Sequence, residues 1–294
     1  MPEQTAPVIS VSDTEKKKWS NNIWRFGAFR FFVDFQLWIP IWVIYLNETR
    51  GFSITEITFL DVLLMIILVI LEVPTGIVAD RWGRKVSLCY GAFIHAVAIL
   101  VFSFAGNIMV IAISYTVVAV ALTLFSGADS AFVYDSLKAA GRRGEYQKIW
   151  GRLHSISLVA SVVSLVLGAF LAAATNLWFP IVISAGLMLI AWIVALTFKE
   201  PPREEAPSSY RETIMNAVNV VRSKPPVYTM MLFAGFVMAI AVSFSILAQP
   251  YLRSHGIGID IIGFLQVPGQ LVGIFAALFA YRLVALIGIG RTML

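Results

Sequence analysis

The sequence contains few of the residues on which soluble enzymes and disulfide-bonded proteins depend. Of its 294 residues only 13% are charged, three are histidine and one, Cys89, is cysteine. One cysteine excludes an internal disulfide framework and a cysteine-rich metal cluster. The sequence shows no phosphate-binding loop, metal-ligand spacing or nucleophile arrangement. We therefore expect a protein that is not an enzyme and needs no cofactor.

Long apolar stretches occupy most of the chain instead. Hydrophobic residues make up 59% of the sequence, a larger share than typical soluble domains contain. Eight stretches are long enough to cross about 30 Å of hydrocarbon as helices. They are predicted at residues 23–46, 54–79, 86–104, 108–134, 149–175, 177–198, 227–250 and 259–281. The expected fold class is an all-α, polytopic transmembrane helical bundle in a lipid bilayer.

Lys and Arg are distributed unevenly between the predicted loops. Of the 22 Lys and Arg residues, Arg30 lies inside a span, and only Arg50 and Arg253 fall outside when the N-terminus is cytoplasmic. All the others then lie on the inner side, as the positive-inside rule requires. This predicts a bacterial or archaeal cytoplasmic membrane protein, and it explains the basic excess without a nucleic-acid partner.

A charged loop joins the second and third apolar stretches. It reads Gly76-Ile77-Val78-Ala79-Asp80-Arg81-Trp82-Gly83-Arg84-Lys85. Such a loop must lie where water or protein satisfies its backbone, and Gly83 permits a turn that a side chain would penalise. The spacing G-x-x-x-D-R-x-G-R-K resembles, at every fixed position, the signature loop between helices two and three of the major facilitator superfamily of secondary transporters.

The resemblance implies a domain plan of two six-helix halves that give a central site alternating access to the two sides. The predicted parts are a cytoplasmic N-terminal segment (1–22), the first half (23–198), a cytoplasmic linker with an amphipathic helix (199–226), and the start of the second half (227–294). The chain ends after two helices of that half, so the resemblance also predicts that it is a fragment of a longer protein.

Charges within predicted helices are functional candidates because they are costly in hydrocarbon. Arg30 and Asp34 are four residues apart and share a helix face. The resemblance places the first and fourth helices at the central cavity. It therefore makes Arg30, Asp34 and Asp129 candidates for binding a small-molecule substrate or a coupling proton or other ion, with Gln249 as a further candidate. A structural ion pair that orders the first helix explains Arg30 and Asp34 equally well.

The resemblance assigns a second group of residues to a cytoplasmic gate. Asp80, Arg84 and Asp135 would form a conformational lock there, supported by other residues of the signature loop, which are Gly76, Arg81, Gly83 and Lys85. Glu72 precedes this loop and is predicted either to bind a proton or, the favoured alternative, to bond across to a neighbouring helix. Many proton-coupled members have an arginine where Thr123 stands, which argues against proton coupling by the usual arrangement.

Two further expectations concern packing. A small polar stripe on the fifth helix (His154, Ser157, Ser161, Ser164 and Gly168) suits either close helix packing, the commoner use, or a cavity wall. The eighth helix has another small-residue stripe (Gly269, Gly273 and Ala277), and the resemblance implies that these two helices meet across the halves. His95 is predicted to be a hydrogen-bonded core histidine.

Two functions remain open at this point. One is a secondary transporter of an unidentified small molecule, and the other is a non-transporting membrane scaffold or sensor. A transporter needs the charges near Arg30 to be accessible from water in at least one state. A scaffold has no reason to keep these charges in hydrocarbon unless they face each other permanently.

Overall fold

The computed structural model describes residues 13–202, 215, 219 and 221–272, and within this part it contains helices and no strands. Ten α-helices are labelled in chain order. They are α1 (Asp13–Asp34), α2 (Trp42–Ile44), α3 (Ile54–Trp82), α4 (Arg84–Phe104), α5 (Ile108–Ser126), α6 (Asp129–Ala139), α7 (Tyr146–Ala174), α8 (Phe179–Leu196), α9 (Pro225–Ser254) and α10 (Ile259–Val272). The protein is an all-α bundle, as predicted. The predicted amphipathic helix lies largely outside the described residues.

Six described helices are long and apolar enough to cross a membrane: α3, α4, α5 together with α6, α7, α8 and α9. The predicted first and eighth spans do not meet this criterion. α1 begins at Asp13, so its first turns are polar and include residues assigned to the segment before the helix. α10 is described only over Ile259–Val272, and the predicted end of that span lies outside the described residues.

The first span is broken, where a continuous helix over 23–46 was predicted. α1 ends at Asp34, and turns occupy residues 37–41 before α2 begins. Pro40 explains the break because it has no N–H to donate and disfavours helical backbone at the preceding residue. A Cβ on Gly168 would collide with the backbone of Leu37, so this glycine lets α7 touch the broken segment.

The fourth span, predicted over 108–134, is present as Ile108–Ala139, but its helix is interrupted between Ser126 and Asp129. Glycine has low helix propensity, and the N–H of Ala128 bonds to the carbonyl of Phe125, three residues back. The break lies against α3, because a Cβ on Gly127 would be 3.2 Å from the Cα of Gly76. We call residues 127–128 the α5/α6 break.

Two aromatic-rich clusters form the core of the bundle. One, around Phe26, Phe132 and Phe198, joins α1, α6 and the end of α8, and the rings of Phe132 and Phe198 are 4.7 Å apart. The other, around Tyr45 and Phe102, joins the chain after α2 to α4, with ring centroids 5.6 Å apart. Ring pairs at these distances add to the energy of apolar burial.

α10 packs closely against α7. A Cβ on Gly263 would collide with the carbonyl of Leu165 and with Ala169, so the glycine permits close approach of the two helices. The predicted meeting of the fifth and eighth spans is therefore present. The contact shown is at Gly263. Of the stripe predicted on the eighth span, Gly269 has nothing within 4 Å of a Cβ, and Gly273 and Ala277 lie outside the described residues.

Candidate functional site

Arg30 is the centre of an ion-pair cluster inside the bundle. Its Nη2 lies 2.9 Å from the carboxylate of Asp34, and its Nη1 lies 2.9 Å from Oδ2 of Asp129. Its Nε donates a long hydrogen bond of 3.5 Å to Oγ of Ser157. The pairing of Arg30 with Asp34 follows from their spacing along α1. The structure adds Asp129 from α6 and Ser157 from α7, and we call these four residues the Arg30 cluster.

The Arg30 cluster has more negative than positive charge. One guanidinium faces two carboxylates, and the side chains of Arg30, Asp34 and Asp129 are 23%, 20% and 15% exposed. Oδ1 of Asp129 is buried and has no hydrogen-bond partner within the described residues. A buried acceptor without a donor is costly. The cluster can therefore accept one more proton, cation or hydrogen-bond donor.

A cavity of about 60 Å³ adjoins the cluster, lined in part by Arg30, Asp129, Trp150, His154 and Ser157. This space can hold water, but it is well below the roughly 300 Å³ at which small-molecule pockets begin. A substrate could reach these side chains only after the helices move apart.

Gln249, the further candidate, does not belong to the Arg30 cluster. Its side chain is on α9 and 2% exposed, with Nε2 donating to the carbonyl of Ile39 at 2.9 Å and Oε1 accepting from the N–H of Val43 at 3.2 Å. Nε2 of Gln266 on α10 donates to the carbonyl of Pro40 at 3.3 Å. Both amides thus satisfy backbone groups freed by the break after α1, a structural use that the sequence did not indicate.

Arg84 is the centre of a second cluster, at the signature loop. Its Nη1 lies 2.6 Å from Oδ1 of Asp80 and donates to the carbonyl of Gly127 at 3.3 Å. Its Nε is buried without a hydrogen-bond partner among the described residues. Asp80 and Arg84 are thus together as predicted. Asp135 lies half-buried on α6, and its contact with Arg84 stays a prediction.

Glu200, which sequence reasoning missed, binds the start of α4. Its two carboxylate oxygens accept from the N–H groups of Arg84 and Lys85, both at 2.8 Å. The first N–H groups of a helix lack partners within it, and the helix dipole favours an anion there. Glu200 is 116 residues from Arg84, so only the need of α4 for an acidic partner could have pointed to it. We call Asp80, Arg84, Glu200 and the Gly127 carbonyl the Arg84 cluster.

Gly83 makes this arrangement possible. It is the single residue between α3 and α4, and its φ is +118°, a conformation that side chains rarely adopt. A Cβ at this position would also be 2.9 Å from the Glu200 carboxylate. The glycine therefore provides both the turn and the room for the Glu200 contact.

Glu72 contacts the neighbouring helix. Its Oε1 accepts a hydrogen bond of 2.8 Å from Oγ of Ser126, the last residue of α5. The geometry agrees with the favoured alternative from the sequence, although the role of Glu72 at a gate stays a prediction. Arg81 lies in the last turn of α3.

His95 is not the hydrogen-bonded core histidine that the sequence predicted. It is buried on α4, but both ring nitrogens lack hydrogen-bond partners within the described residues. The ring lies 6.1 Å from that of Phe125. It is therefore packed among apolar groups, and its polar atoms are not satisfied as predicted.

Long apolar helices around a few paired charges define an integral membrane protein. The chain belongs to the Major Facilitator Superfamily, whose family model matches residues 26–294.

Similar proteins agree with this assignment. The chain is 22% identical over 238 residues to the uncharacterized MFS-type transporter YxaM of Bacillus subtilis (strain 168), covering 78% of this chain and 58% of that protein. It therefore spans less than two thirds of that relative. A mutant of the nucleoside transporter NupG aligns with a TM-score of 0.81 at 15% identity, covering 93% of this chain and 70% of that one. An inward-facing, unoccupied bacterial homolog of the human lysosomal transporter Spinster gives 0.67 at 17% identity, covering 90% and 64%. At these identities the likeness to the solved structures concerns the fold.

Proposed function

We propose that the protein is a secondary transporter that moves a small molecule across a bacterial cytoplasmic membrane by alternating access, with its N-terminus in the cytoplasm. The observation that supports this most strongly is the Arg30 cluster. It places three charged side chains from two helices inside the bundle, next to a cavity, with one carboxylate in excess.

The excess charge favours transport over a scaffold. A permanent structural pair needs one carboxylate for one guanidinium, and the second carboxylate leaves Oδ1 of Asp129 without a donor. An unsatisfied buried acceptor costs about 1–3 kcal/mol, and a purely structural pair does not need one. A site that binds a proton, another cation or a donor-bearing substrate during part of a cycle uses that same group.

The Arg84 cluster supports a gate at the cytoplasmic end. The cluster ties the start of α4 to the α5/α6 break through Arg84 and to the segment that follows α8 through Glu200. We assign Asp80 and Arg84, together with Asp135, to a lock that holds the inner side closed. Releasing it would open the Arg30 cluster to the cytoplasm.

The alternative is a non-transporting scaffold or sensor, and one observation favours it. Arg30 contacts both carboxylates at 2.9 Å, so the cluster can serve as a fixed tie between α1 and α6. The two functions differ in whether water ever reaches the Arg30 cluster.

Cysteine labelling distinguishes them without knowledge of the substrate. In full-length protein with Cys89→Ser, Ser157→Cys places a thiol beside Arg30, and Gly144→Cys places one in an exposed inner loop. A membrane-impermeant maleimide should modify position 144 only from the cytoplasmic side. Position 157 should react from both sides at different rates.

The labelling pattern at positions 157 and 144 distinguishes a transporter from a scaffold. Protection of position 157 from both sides, with normal labelling at 144, would favour the scaffold. Labelling of 144 from outside would overturn the orientation. Substrates can then be sought by uptake into proteoliposomes. Nucleosides are a reasonable first class because NupG is described as a nucleoside transporter, although the fold likeness alone does not identify a substrate.

A further inference from the structure

A groove of about 520 Å³ runs between α1 and α7. Its apolar wall includes Ile23, Gly27 and Phe31 of α1, and Ile156 of α7. Gly27 and Phe31 each follow a residue of the cavity beside Arg30, and successive helical residues are about 100° apart. The groove therefore opens on a different face of α1 from the Arg30 cluster. We propose that it binds an acidic phospholipid of the inner membrane leaflet.

The polarity of the groove changes along its length. Arg142 Nη1 donates to Ser20 Oγ at 3.2 Å, whereas a Cβ on Gly27 would be 3.3 Å from Ile156. The contacting residues rise together in number, so α1 and α7 run parallel. The polar Ser20–Arg142 contact therefore lies at the lower-numbered end of the groove, and apolar side chains follow. The predicted topology places that polar end at the cytoplasmic surface.

The length of the groove matches the hydrocarbon thickness of one membrane leaflet. Ser20 and Phe31, both in the groove lining, are eleven residues apart on α1, or about 16 Å at the helical rise of 1.5 Å per residue. Half of a 30 Å hydrocarbon core is about 15 Å. An acyl chain in the groove would thus extend from the headgroup level to the middle of the bilayer.

The polar end suits a phosphodiester. Arg142 is engaged by the carboxylate of Glu145 at 2.8 and 2.9 Å, so we assign the phosphate to Arg152, which is exposed at the rim of the groove. The Ser20 hydroxyl accepts from Arg142 and can donate its own proton to a phosphate oxygen. Trp24 also lines the groove and is 65% exposed, as expected of an aromatic side chain at the headgroup level.

Charge and length together favour a lipid. Anionic lipids concentrate in the cytoplasmic leaflet and attract basic side chains near its surface. A soluble phosphate compound would use the rim but leave the apolar length empty. A polypeptide segment would fill the apolar length but would not need a basic rim.

Native mass spectrometry of the purified, delipidated full-length protein tests the proposal. Phosphatidylglycerol should bind more tightly than phosphatidylcholine. Arg152→Gln should weaken phosphatidylglycerol binding about fivefold, the contribution of one interfacial arginine. Arg143→Gln is the matched control, because Arg143 belongs to the same basic region but lies over the ring of Tyr134 at 5.4 Å. It should leave the affinity unchanged.

A second variant tests the apolar part. Ile156→Trp fills the groove and should also weaken phosphatidylglycerol binding. Equal losses in Arg143→Gln and Arg152→Gln would indicate diffuse electrostatic attraction and overturn the site. Competition by soluble glycerol phosphate would assign the rim to a soluble ligand. Unchanged phosphatidylglycerol binding in both Arg152→Gln and Ile156→Trp would show that the lipid binds elsewhere, and would overturn the site.

Discussion

The guanidinium groups of Arg30 and Arg84 share one kind of partner and differ in the other. Each arginine pairs with an aspartate four residues away, and each reaches the α5/α6 break or the residue after it. Arg30 contacts the carboxylate of Asp129, whereas Arg84 contacts the carbonyl of Gly127. The guanidinium of Arg30 therefore has a second ionisable partner. The guanidinium of Arg84 is completed by a backbone carbonyl, because the carboxylate of Glu200 binds backbone N–H groups instead. The difference suits a site that exchanges charge in the first case and a mechanical contact in the second.

The residues contacted by Arg84 and Arg30 are close in sequence, so the two clusters should be mechanically coupled. Gly127 and Asp129 are two residues apart, on either side of Ala128, the last residue of the break. A movement of the break that lengthens one contact would displace the other. We therefore expect variants at the two clusters to differ in kind, with binding or coupling affected at Arg30 and conformational balance affected at Arg84.

The largest effect is expected from Asp129→Asn. The amide keeps the shape of the carboxylate but removes its charge, so transport by the full-length protein in proteoliposomes should fall at least about tenfold, equivalent to about 1.4 kcal/mol. Thermal stability should change little by comparison. Asp34→Asn should act in the same direction.

Asp61→Asn is the matched control, since Asp61 is a half-buried carboxylate on α3 that does not belong to the Arg30 cluster. It should retain transport. Normal transport by both Asp34→Asn and Asp129→Asn would remove the functional distinction between the two clusters.

Arg84→Ala should shift the conformational balance. The lost contacts are charge-assisted and worth about 1.5–3 kcal/mol, enough to change a two-state equilibrium more than about tenfold. We expect a larger inward-open population, with substrate affinity in a fixed conformation nearly unchanged. Spin-label distances between positions 144 and 224, in loops predicted to face the cytoplasm, would measure this shift.

Arg143→Ala serves as the comparison for the removal of an inner basic side chain. It should leave the distance distribution unaltered. If Arg84→Ala also leaves the distances unaltered but loses substrate binding, Arg84 belongs to a binding site and the two clusters have the same role.

Gly83→Ala should have the smallest effect on transport of the three and should act on stability instead. The substitution forces a side chain into positive φ and towards the Glu200 carboxylate, at a cost of about 1–3 kcal/mol. Part of that cost can be relieved by movement of Glu200, so the melting temperature should fall modestly. Gly144→Ala is the control, because nothing lies within 4 Å of a Cβ there. Equal melting temperatures in the two variants would show that the Glu200 contact is not maintained.

The sequence by itself determined the all-α membrane fold, the signature loop and the two arginine–aspartate pairs. These features depend on apolar length and on spacing over a few residues of the chain, both of which are local. Only the tertiary structure decided that Asp129 completes the Arg30 cluster, that Glu200 binds the start of α4, and that Gln249 satisfies the break after α1. Those partners are 99, 116 and 210 residues apart. Several of the acceptors and donors are backbone groups, which every residue possesses, so no side-chain pattern in the sequence distinguishes them.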